Sequence, residues 1–154
     1  MKINTIIVSA FHGCGKTTAA RELKEQLTLM DLDSSTFDKN NFPQNYLEYI
    51  KSQIGKQEII FISSHEIVRK ALETEGIEYF LFYPSLKRKE EFLDLYYLRG
   101  NNEAFVNILD KNFENFIASC NNAKTPNKIT LNKEGEFLLN NPTFIKIIEK
   151  IKNT

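Results

Sequence analysis

Apolar residues fall along this chain in two kinds of pattern. Short runs centred on apolar residues come at 5–9, 28–32, 58–62, 79–83 and 127–131. Between them, apolar positions recur at three- and four-residue spacing, the period of an amphipathic helix. Ala20, Leu23 and Leu27 share a face in a helix predicted over 16–27. A second helix is predicted over 45–54, ending near Gly55, and a third carries Ile67, Val68, Ala71 and Leu72 and stops at Gly76. Ser63 is expected to cap that third helix, with Glu66 as its capping-box partner three residues on. A charged helix follows over 85–99, closed by Gly100. Phe105, Leu109, Phe113 and Phe116 then fall in register along a strongly amphipathic one, where they read as a core stripe. A last helix is predicted over 143–151. The run Ile59-Ile60-Phe61-Ile62 is apolar throughout, as in strands buried on both faces of a parallel sheet. Strands alternating with helices predict an α/β fold: a three-layer sandwich, with a parallel five-stranded sheet between helices on both faces. One domain is expected over 1–154. Ligands of such sheets bind at the carboxyl ends of the strands.

The first of those strand ends carries the sharpest signal. After Ile6-Ile7-Val8 the chain reads Ala10-Phe11-His12-Gly13-Cys14-Gly15-Lys16-Thr17, and the first helix opens there. This is the layout of a Walker A phosphate loop, with Ala10 where the strict form has Gly. The backbone N–H groups of such a loop turn inward and make a nest for anions. The helix behind it points unsatisfied donors and a partial positive charge at the same spot. Residues Phe11, His12, Gly13, Cys14, Gly15, Lys16, Thr17 and Thr18 are therefore candidates for binding ATP or GTP. Lys16 is placed to reach the β- and γ-phosphates, and the Thr17 hydroxyl to ligate Mg²⁺.

Composition narrows the setting. The chain has 154 residues, 20 basic and 20 acidic, for a net charge of zero. That balance weighs against gripping long duplex DNA by its backbone. Two cysteines are too few for a disulfide framework, and a reducing cytoplasm is expected. No apolar run approaches the roughly 20 residues of a membrane span, and no membrane partner is expected.

Other strand ends add chemistry. Asp31 and Asp33 close the second strand. A carboxylate there can deprotonate an acceptor hydroxyl or hold Mg²⁺ through water; Asp33 is the stronger candidate for both. Ser63 stands where a Walker B carboxylate often follows its strand, so Thr17, Asp33, nucleotide phosphates and water are left to hold the metal. His65 is a weaker candidate for contact with substrate. The segment 85–103 carries Lys87, Arg88, Lys89 and Arg99 and has the place in the order of a lid. Catalysis of phosphoryl transfer is largely positioning plus charge stabilisation. Arg88 and Arg99 are therefore candidates to neutralise the transferring group.

On the loop 10–18 and on this order of elements, the chain resembles P-loop kinases of the nucleotide-kinase type. It is similar both to nucleoside monophosphate kinases and to the kinase domain of polynucleotide kinases, and also to small kinase-like proteins of bacteriophages. In polynucleotide kinases an Asp after the second strand acts as base toward a 5′-hydroxyl and a lid arginine contacts phosphate; Asp33 and Arg88 or Arg99 match. The resemblance implies an ATP- and Mg²⁺-dependent phosphotransferase, monomeric or homodimeric. Its first expected acceptor is a (deoxy)nucleoside monophosphate, and the alternative is a hydroxyl on nucleic acid. A nucleotide switch or ATPase without a small acceptor is a third reading. Unlike monophosphate kinases, the stretch 31–45 holds Lys39 and no Arg.

Overall fold

The structure is a computed structural model that describes residues 3–154. Five strands alternate with helices: β1 (Ile6–Ala10), α1 (Lys16–Leu23), β2 (Leu29–Asp31), α2 (Gln44–Gln53), β3 (Ile59–Ser63), α3 (Glu66–Thr74), β4 (Phe80–Pro84), α4 (Lys89–Leu98), α5 (Glu103–Asn121), β5 (Lys128–Leu131) and α6 (Pro142–Lys152). All strand pairs are parallel, in the order β2-β3-β1-β4-β5. The architecture is the expected α/β sandwich, with β1 and its loop at the centre of the sheet. Among the described residues no helix is long and apolar enough to cross a membrane.

Right-handed crossovers set the layers. The chain leaves β1 toward β2 on one side and moves in the opposite direction at every later step, so α1 lies on one face and α2, α3 and α5 on the other. The last helix, α6, returns to the face of α1. There Lys152 Nζ donates to Gln26, and Phe144 packs against Phe61 of β3 and Phe82 of β4, the strands on either side of β1. Ile59, Ile60, Phe61 and Ile62 of β3 are wholly buried, as a strand covered on both faces must be.

Boundaries differ from expectation at several points, and α1 ends at Leu23, short of Leu27. The strand β3 runs on through Ser63, and α3 begins only at Glu66 with His65 at its cap. No capping box forms: the Glu66 carboxylate accepts from Ser119 Oγ and pairs with Lys70 instead. The charged segment after β4 starts with a short 3₁₀ turn, Leu86–Arg88, before α4. Along α5, the buried stripe is Val106, Leu109, Phe113, Ile117 and Cys120, while Phe116 stands 39% exposed. The helix turns its core face one position past Phe116, so that ring is left at the edge of a cavity.

Candidate functional site

The loop between β1 and α1 is shaped by two glycines with positive φ, Gly13 at 92° and Gly15 at 95°. L residues with side chains rarely adopt that conformation. Gly15 is the N-cap of α1, and the exposed N-terminus of that helix opens at the carboxyl end of the sheet. Neighbours on both sides hold the loop. Tyr96 Oη of α4 donates to the His12 carbonyl at 2.7 Å, and Leu138 N donates to the Cys14 carbonyl at 3.0 Å. A Cβ on Gly13 would lie 2.9 Å from Tyr96 Cε1. Phe11 is buried edge-on among Phe92, Phe113 and Phe116.

Lys16 and Thr17 project from the first turn of α1 toward the end of β2. Asp31 meets them both: its Oδ1 lies 3.6 Å from Lys16 Nζ, and its Oδ2 accepts from Thr17 Oγ1 at 3.4 Å. Asp33 sits beyond, at the rim. Its Oδ1 accepts from both the backbone N–H and the hydroxyl of Ser35, at 2.9 and 2.7 Å. Those bonds hold its carboxyl below the usual carboxylate range, with a smaller contribution from Lys16. The carboxylate that touches the proposed metal hydroxyl is thus Asp31, whereas sequence reasoning weighted Asp33. Period-two alternation put both on one side of the strand; only the end of β2 at Asp31 separates their reach.

Ser63, at the end of β3 beside Ala10, lines the same space. Its Oγ is buried and has no hydrogen-bond partner among the described residues. An orphaned buried hydroxyl is uncommon in a finished core and fits a place that a ligand or water completes. Among the described residues no group of three His, Cys, Asp or Glu side chains gathers to hold a metal unaided. Thr17 and Asp31 fit a Mg²⁺ ion whose remaining ligands come from nucleotide phosphates and water.

A cavity of about 1070 Å³ opens over this strand end. The loop, Asp31, Asp33 and Ser63 to His65 form one side, and α5 the other, through Phe105, Ile108, Leu109 and Phe116. Arg99, exposed in the turn between α4 and α5, reaches the same cavity. His12 stands between, 5.1 Å from the Tyr96 ring and 5.4 Å from Phe105. Partial burial first, and then the positive charges of Arg99 and Lys16, lower the His12 pKa; burial followed by Lys16 and Arg69 does the same for His65. Both shifts favour the neutral ring.

Two expected site residues are placed elsewhere. Arg88 is 3% exposed and lines no part of the cavity. Its Nε and Nη2 grip the Glu91 carboxylate at 2.7 Å, and its Nη1 donates to the carbonyls of Leu131 and Glu136. Its guanidinium stacks between Phe92 and Phe137. Arg88 is a clamp inside the fold. The Cys14 side chain is fully buried, and burial pushes its thiol strongly upward, so only its backbone is available to a ligand. The segment 85–103 differs from a free lid in the same way. Phe92, Leu93 and Tyr96 bury α4 against the loop and α5, and what stays open is the turn with Leu98 and Arg99.

No protein-family model matches the chain, and no curated protein does. Among solved structures, it is similar to a de novo designed protein of P-loop NTPase fold. The two are 16% identical with a TM-score of 0.35, over 79% of this chain and 96% of that one. A likeness so distant carries no functional argument; the fold rests on the sheet and the loop themselves.

Proposed function

We propose that the chain is an ATP-dependent phosphotransferase whose acceptor is a nucleoside- or nucleotide-type compound. One observation carries the reading. Lys16, Thr17 and Asp31 converge beside an open helix N-terminus, at one end of a cavity of about 1070 Å³. The same cavity extends from there to the apolar side chains of α5, Phe105, Ile108 and Phe116, where an acceptor would sit beside the donor. The loop amides and Lys16 bind the triphosphate. Thr17, and Asp31 through water, are the groups that would hold Mg²⁺, which supplies screening of charge on the phosphate oxygens. Arg99 faces the transferring phosphoryl group from the α4–α5 turn. An acceptor oxygen forms a bond to the γ-phosphorus as the bond to the β,γ-bridging oxygen breaks, and ADP leaves. A monophosphate acceptor is already ionised and needs no base; a hydroxyl gives its proton to a carboxylate, for which Asp33 is placed at the rim.

Transfer from γ-labelled ATP tests this against a panel of nucleosides, (d)NMPs and 5′-hydroxyl oligonucleotides. Label on an acceptor, with ADP formed in equal amount, is the expected result. ADP released at the same rate with and without acceptors would instead support the ATPase or switch reading.

A further inference from the structure

The cavity that this proposed reaction would use has an uneven distribution of charge. Among the described residues, three cationic side chains line it: Lys16, Arg69 and Arg99. Lys16 is paired with Asp31 and serves the donor phosphates. Arg69 is 3% exposed and committed to the fold. Its Nε donates to the Ser64 carbonyl at 2.9 Å, and its Nη atoms donate to the carbonyl and hydroxyl of Ser119, at 3.3 and 2.6 Å. The Ser119 hydroxyl in turn donates to Glu66 at 2.5 Å, so the Arg69 charge is answered within the protein. That leaves Arg99, and the transferring phosphoryl group requires it.

The rim at the end of β2 has the opposite character. Asp31, Asp33, Ser34 and Ser35 line it, two carboxylates and two hydroxyls, with no cation among them. Asp31 is engaged by Lys16 and Thr17. Asp33 is bonded through Oδ1 alone, and its Oδ2 has no partner among the described residues. A second phosphate at this rim would meet like charge; a neutral hydroxyl would find an acceptor for its proton.

The far wall is apolar and open. Ile108 is 56% exposed and Phe116 39%, with Phe105 half-buried beside them. Apolar side chains left uncovered inside a functional cavity mark what the ligand brings. The His12 ring flanks Phe105 on the loop side, which makes the wall suited to a flat ring system.

We propose, on the basis of the phosphotransferase reading, that the acceptor is an uncharged nucleoside, phosphorylated on a hydroxyl, and that Phe105, Ile108 and Phe116 hold its base. The hydroxyl oxygen forms the new bond to the γ-phosphorus, its proton passes to Asp33, and the bond from the γ-phosphorus to the bridging oxygen breaks to release ADP. Atoms and charge balance: nucleoside plus ATP gives nucleoside monophosphate, ADP and a proton. The zero net charge of the chain agrees, because a nucleic-acid strand needs basic surface to be held.

The test is calorimetric. The protein is first saturated with Mg²⁺ and β,γ-imido-ATP, then titrated with each nucleoside and each matching 5′-monophosphate. At least one nucleoside is expected to bind ten times more tightly than its monophosphate. Phe116→Ala, and independently Ile108→Ser at a more exposed position, should each weaken that binding at least tenfold. Equal or tighter binding of the monophosphate overturns the proposal, as does binding by no nucleoside or transfer of label to 5′-hydroxyl oligonucleotides alone. If β,γ-imido-ATP itself does not bind, the phosphotransferase reading fails first and the proposal goes with it.

Discussion

Two arginines of different role stand at the two ends of α4. Arg88 spends its donors on Glu91 and on two backbone carbonyls, and its flat face on two phenylalanines. Arg99 is exposed and faces the cavity. Replacing the first removes one partner of a largely buried ion pair; replacing the second removes a charge that lines the cavity. Arg88→Met should therefore cost about 3 kcal/mol of stability, read by urea unfolding. Arg99→Met should leave the unfolding midpoint in place and lower the rate of transfer about 100-fold. Loss of transfer in a well-folded Arg88→Met protein, with Arg99→Met fully active, would reverse these roles. Sequence could not separate the two, because both sit in one basic segment after β4. What separates them is the 3₁₀ turn Leu86–Arg88, which rotates Arg88 inward toward the β5 end and the residues beyond it.

At the scale of elements, the phosphate loop is held by what packs around it. From one side α4 supplies the Tyr96 hydroxyl, and from the other the backbone of Leu138 bonds the Cys14 carbonyl. The loop therefore keeps its open shape before any ligand arrives, which lowers the ordering cost of binding. Gly13 has no room for even one carbon. Gly13→Ala must strain a φ of 92° and push Tyr96 Cε1 from 2.9 Å. Left-handed backbone alone costs a residue with a side chain about 1–2 kcal/mol. We expect the variant to unfold at lower temperature and to bind ATP at least ten times more weakly, measured by calorimetry on the folded protein. Unchanged affinity would show that the loop shape does not govern binding. The loop was legible in sequence because glycines, lysine and threonine recur at fixed spacing there. Its supports were not, since Tyr96 lies 84 residues from the carbonyl it bonds.

For the whole molecule, the alternation of strands and helices was enough to read a parallel sheet, and its central position for β1 follows from the crossovers. Less legible was which residues face one another across the cavity. Spacing marked Phe116 as core, yet the last turns of α5 leave it open, and the choice of Asp31 or Asp33 depended on where β2 stops. Both are questions of a fraction of a turn or a single residue, settled by packing that periodicity does not contain. The measurement that bears most directly on the account is a calorimetric titration of MgATP into the wild-type chain and into Lys16→Ala. Lys16 is partly exposed at the mouth of α1 and outside the core, so the variant should keep its unfolding transition. The account predicts micromolar binding to the wild type and none to the variant. Equal binding to both, or none to the wild type, would contradict it.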